Sequence, residues 1–124
     1  MKSTITLTHP PVEVYARDFF DAVSKLPKMK RGPMGAQGRI PSDTILAPYD
    51  HGIMVETSVM ATSVTADTPW RVRVSVVAVR LVKVCETLKR LGAAKEQDAK
   101  LAISVVSGEV KIRYRTTTVG IAII

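Results

Sequence analysis

Cysteine is nearly absent from this sequence: Cys85 is the sole one among 124 residues. A disulfide framework is therefore excluded. With only two histidines, His9 and His51, the chain has too few ligands for a His/Cys zinc centre. No metal and no cofactor is expected. Aromatic residues make up 5%, too few for a protein that stacks single-stranded bases on aromatic platforms, and Tyr49 and Trp70 read as packing residues. Long apolar runs are missing as well. Met1–Thr6 has no signal-peptide core, and the run Val119–Ile124 is far short of the roughly 20 residues that cross a bilayer. The expectation is a soluble, cytoplasmic chain without membrane contact. No serine or carboxylate pattern surrounds either histidine, and Cys85 falls on an apolar stripe, so no catalytic residue and no enzyme activity is expected.

What is present is enough apolar sequence for one folded domain, 1–124: 46% hydrophobic, 23% charged, mean hydropathy +0.13. Charge is the distinctive quantity. Eighteen Lys and Arg against eleven Asp and Glu give +7 and a pI near 9.9, which points to an anionic partner. The excess is segregated. Arg17, Lys25, Lys28, Lys30, Arg31 and Arg39 form one basic segment, and the eight cations from Arg71 to Lys100 form another. Ile40–Trp70 contains no Lys or Arg at all. Segregation of this kind favours a charged binding face.

Two stretches repeat with helical period. Phe19, Ala22, Val23 and Leu26 share one face of Arg17–Leu26, which Pro27 ends. Ala78, Leu81, Val82, Cys85 and Leu88 share one stripe of Ala78–Leu91, with Arg80, Lys83, Thr87 and Arg90 opposite and Gly92 placed as the C-terminal cap. Strands are predicted near Val12–Tyr15, Asp43–Pro48, Ile53–Thr57, Ala61–Ala66, Arg71–Val76, Lys100–Val106, Glu109–Tyr114 and Thr117–Ile123, with a further strand signal at Thr4–Thr8. Asp50-His51-Gly52 and Ser107-Gly108 are the tight turns, their glycines expected at positive φ. Residues 27–42 are read as a flexible basic loop.

The two halves match. A shift of 62 pairs Val14 with Val76, Ala16 with Ala78, Phe19 with Leu81, Val23 with Cys85 and Leu26 with Leu88. Further on, a shift of 56 pairs Gly52 with Gly108. Each half, about 12–66 and 71–124, then reads β-α-β-β-β, an α+β fold with two amphipathic helices packed on antiparallel sheet.

This duplicated unit resembles one domain of a DNA sliding clamp, a processivity factor. Val12–Leu26 resembles the clamp's strand feeding an amphipathic helix, and Asp43–Thr57 the hairpin that follows. Val74–Val84 is similar to the second strand-to-helix passage and Lys100–Ile123 to the closing strands. The resemblance implies that the helices face double-stranded DNA, with Arg80, Lys83, Lys89 and Arg90 on the second helix and Arg17 and Lys25 on the first. Clamps are rings of six such domains, and this chain has one, so a ring implies a homo-oligomer. The apolar strand at Thr116–Ile124 is the candidate contact between copies. Lys28, Lys30 and Arg31 add cations in the loop. The function implied is nonspecific duplex-DNA binding in tethering, processivity or replication. The alternative is a non-enzymatic adaptor whose basic face meets an acidic protein.

Overall fold

The computed structural model describes residues 8–26, 29–31, 39–57 and 60–124. The element order is β1 (His9–Tyr15), α1 (Ala16–Ser24), β2 (Met29–Arg31), β3 (Arg39–Pro41), β4 (Asp43–Tyr49), β5 (Gly52–Glu56), β6 (Ala61–Thr65), β7 (Val74–Val77), α2 (Ala78–Leu88), β8 (Lys100–Val106), β9 (Glu109–Tyr114) and β10 (Thr117–Ala122). The fold is α+β, with two helices packed against two four-stranded antiparallel sheets. One sheet runs β1-β8-β9-β10 and the other β7-β4-β5-β6. Each sheet thus contains the strand that precedes one helix and three strands that come after the other, while β2 and β3 pair apart. No helix of the described residues is long and apolar enough to cross a membrane.

The core follows from period two on the strands and the apolar stripe on each helix. Val12, Val14, Leu46, Ile53, Val55, Leu101, Ile103, Val110 and Ile112 point inward and are buried. Ala16, Phe19, Phe20, Ala22 and Val23 are buried on α1. Ala78, Leu81, Val84, Cys85 and Leu88 are buried on α2, whereas Val82 is only half-buried, at the flank of its stripe. Neither helix has a side-chain N-cap. Their first N–H groups are satisfied by distant carbonyls: Ala16 donates to Ala99 and Ala78 to Ser42, each at 2.8 Å.

Two offsets link the two halves, one for the helices and one for the strands that follow them. β8 begins and ends 57 positions after β4, Lys100 against Asp43 and Val106 against Tyr49. Helix starts are 62 apart, Ala78 against Ala16. The pairing Val14↔Leu101 recurs as Thr44↔Val76, and Leu46↔Val55 recurs as Ile103↔Ile112. Val55↔Thr62 recurs as Val119↔Ile112. Hydrogen bonds outside the ladders follow the same rule: Ala66 N–H to the His51 carbonyl at 2.9 Å recurs as Ile123 to Gly108 at 3.0 Å. The downstream offset is therefore 57, not the 56 expected from the turn glycines, because Gly52 opens its strand whereas Gly108 still belongs to its turn.

Other expectations shift by a few residues. Regular α2 stops at Leu88, and Lys89–Ala93 widens into a π-helical turn closed by Gly92 at φ 107°. β7 starts at Val74 rather than Arg71, whose backbone N–H is given to the His9 Nε2 at 3.0 Å instead of to a ladder. Gly108 does take positive φ, 77°, after Ser107 at 53°. Gly52 does not. It is needed because a Cβ there would meet the Val64 carbonyl and lie 2.9 Å from the Ala66 nitrogen. Within 27–42, β2 and β3 pair as a short ribbon, so part of that segment is ordered rather than loop. Lys28, residues 32–38, and the Thr4–Thr8 strand signal up to residue 7 lie outside the described residues.

Candidate nucleic-acid interface

Helix α2 and the turn that follows it carry Arg80, Lys83, Lys89 and Arg90, which at about 100° per residue fall on two flanks rather than one face. On one flank Arg80, Lys83 and Val84 border a hollow of about 350 Å³ whose other wall is Gly120 and Ile121 of β10. On the opposite flank Val82, Cys85, Glu86 and Lys89 meet Phe20, Val23 and Ser24 of α1 across a shallow groove of about 160 Å³. The Lys89 ammonium sits 5.3 Å from the centroid of the Phe20 ring, which holds it by cation–π attraction on the helix pair. Arg90 follows in the π-helical turn, exposed and well placed against the helix C-terminus.

Ion pairing sorts the remaining cations. Lys25 is joined to Asp21 at 3.1 Å along α1. Lys111 is joined to Glu109 at 2.6 Å, and Arg115 to Glu96. Arg17, Arg80, Lys83 and Arg90 are exposed and have no ion pair among the described residues, and the same holds for Arg71, Lys89, Lys95, Lys100 and Arg113. Lys30 and Arg31 lie on β2, where Arg31 falls opposite Arg39 in the ladder. Lys111 and Arg113 share the outer face of β9, while Arg115 has left the strand at φ 57° and lies over the Tyr114 ring.

Comparison of the helices position by position reveals a relation that core matching alone did not. At the offset of 62, Arg80 corresponds to Asp18 and Lys83 to Asp21. All four are exposed. The signal was present in the sequence, since the same offset that aligns Leu81 with Phe19 also aligns these charges. At these two positions α1 is acidic where α2 is basic, while Arg17 and Lys25 balance the two α1 carboxylates.

Cys85, His9 and Trp70 are buried. Burial pushes the Cys85 thiol up to about 12, with Lys89 pulling it down and Glu86 adding to the rise. His9 is 3% exposed and tied on both ring nitrogens: Nδ1 donates to the Pro10 carbonyl at 2.7 Å, while Nε2 accepts from Arg71. This hydrogen-bond pattern assigns the neutral tautomer. Trp70 is buried and donates to the Leu46 carbonyl at 3.4 Å, but Tyr49, expected in the packing, is 44% exposed. The chain matches no protein-family model and no curated protein sequence.

Proposed function

We propose that this chain is a clamp-like domain, built by duplication of a β-α-β-β-β unit, which binds duplex DNA without regard to sequence and acts as a tethering, processivity or replication accessory factor through self-assembly. The observation that carries the DNA reading is the set of exposed, unpaired cations on α2 and the turn that follows it, Arg80, Lys83 and Arg90. Ten residues of helix rise about 15 Å, the axial rise of about four base pairs, so these side chains reach successive phosphates without reading bases. Arg17 on α1 and Lys89 at the helix pair add to the same layer. The two offsets that relate the ladders, 62 for the leading strands and 57 downstream, support the duplication, and the exchange of leading strands between sheets supports the clamp-like architecture.

The test is duplex binding across a salt series with two unrelated sequences. Equal affinity for both is expected, falling steeply with salt. Replacement of Arg80, Lys83 and Arg90 by glutamate should flatten the log–log salt slope by about three. An unchanged slope in a folded variant removes α2 from the interface. The alternative, an adaptor for an acidic protein, is favoured by the uncharged edge strand β10, and it predicts indifference to DNA.

A further inference from the structure

We infer that the hollow between α2 and β10 is a seat for one phosphate group, held by the Arg80 guanidinium, the Lys83 ammonium and the backbone N–H of Gly120. As a seat for a phosphate of duplex DNA it deepens the proposed function and rests on it. As a phosphate site it stands on the geometry of the hollow.

The backbone donor follows from the parity of the ladder. Ile123 donates to the Gly108 carbonyl at 3.0 Å, and β10 pairs with β9 residue for residue from Ala122↔Glu109 to Thr117↔Tyr114. Neighbouring residues of an antiparallel strand turn their N–H groups to opposite sides. Ile121 and Val119 therefore face β9 as Ile123 does, and Gly120 turns its N–H away. β10 ends its sheet and has no second ladder partner among the described residues. The tail beyond the strand is occupied, since Ile124 donates to the Ser75 carbonyl at 2.9 Å. Gly120 lies four residues earlier, where the strand forms a wall of the hollow.

The two side-chain donors stand three residues apart on α2 and border the same hollow. Neither has an ion pair among the described residues. Glu86, three residues after Lys83, borders the groove on the opposite flank of the helix, and no carboxylate lines the hollow. Glu109, across the ladder, is joined to Lys111 at 2.6 Å. The volume of about 350 Å³ has room for a phosphate group and several waters at about 30 Å³ each. A guanidinium fork, an ammonium and an amide N–H together offer more donors than the two oxygens of a carboxylate can use. They suit a group with three or four oxygens about one centre. Arg80 and Lys83 thus converge on one phosphate, and Arg90, beyond the hollow, is left for the next.

The experiment is a titration of the isotope-labelled full chain with inorganic phosphate at constant ionic strength, followed in the amide NMR spectrum. The Gly120 amide should shift saturably with phosphate and much less with acetate. Arg80→Gln with Lys83→Gln should weaken phosphate binding by about tenfold. Gly120→Pro should weaken it too, because an edge N–H turned away from the ladder is lost without breaking the β9–β10 bonds. Gly120→Ala keeps the donor and adds a methyl that meets only the ends of the Glu109 and Lys111 side chains, so it should bind as the wild type does. The same spectra show that each variant is folded. No saturable shift, an equal response to acetate, a folded double variant with wild-type affinity, or equal weakening by proline and alanine would each overturn the inference. A DNA duplex added to the wild type identifies the source of the phosphate, and the same Gly120 shift is expected. Duplex binding that leaves Gly120 unmoved removes the seat for DNA and keeps the DNA reading. Phosphate binding without duplex binding does the reverse and leaves a site for a free phosphate.

Discussion

His9 lies against Trp70, ring centroids 4.4 Å apart and planes inclined by 32°. The contact sits where the two halves depart from equivalence. At the offset of 62, His9 corresponds to Arg71, yet here one accepts the backbone N–H of the other. Replacing His9 with alanine removes the ring contact and leaves the Arg71 N–H without its acceptor. A loss of about 2 kcal/mol in unfolding free energy is expected from those two terms, measured by urea denaturation. A loss under about 0.5 kcal/mol would show that water replaces both.

The two turn glycines should respond differently to alanine. At position 52 the new methyl would collide with the backbone of Val64 and Ala66, which cannot move without breaking the β5–β6 ladder. Gly52→Ala should cost about 3 kcal/mol or more. At position 108 the space is open and only the positive φ opposes a side chain, so Gly108→Ala should cost about 1 kcal/mol. Thermal melts of the pair give the order directly, and the reverse order would contradict the placement of β6 on β5.

Cys85 predicts a loss of stability at high pH. In the unfolded chain its thiol ionises near 9.0, whereas in the fold it stays protonated to about 12. The unfolded state therefore releases the proton first, and stability falls as pH rises above about 9, by up to about 1.4 kcal/mol per pH unit for this group. Subtracting the same curve for Cys85→Ala isolates it from lysine and tyrosine titration. The native thiol should also resist a disulfide reagent at pH 8 and react on denaturation. Rapid native reaction would mean the interhelical groove opens readily.

Arg90 tests the DNA reading outside α2 itself. It lies in the π-helical turn and does not border the hollow beside β10. Arg90→Glu should weaken duplex binding by about threefold to tenfold at low salt and leave the mass in solution unchanged. A change in assembly with intact DNA affinity would assign Arg90 to the contact between copies instead.

Much of this was legible along the chain. Period-two alternation located β4, β5, β6, β8, β9 and β10 to within two residues at each end, and the apolar stripes located both helices. Such patterns are legible because a half-buried strand or helix must repeat its apolar positions with the backbone's own period. The 62-residue offset between helix starts was equally legible. Less so was the downstream offset, because turn glycines serve two purposes: Gly108 supplies positive φ, whereas Gly52 supplies room for Val64. Sequence patterns also located the cations of α2 and their spacing.

What only the tertiary structure decided is which cations are free and which surfaces meet. Lys25 and Lys111 look as available in sequence as Lys83, yet each has a carboxylate within 3.1 Å. One helix stripe became two flanks once α1 and β10 packed on either side of α2. The exchange of β1 and β7 between sheets was likewise invisible, because any of several strand orders would bury the same alternating residues. Local periodicity dictates which face of an element turns inward. The neighbour that covers that face, and so the charges left outside, depends on pairings between residues far apart in the chain.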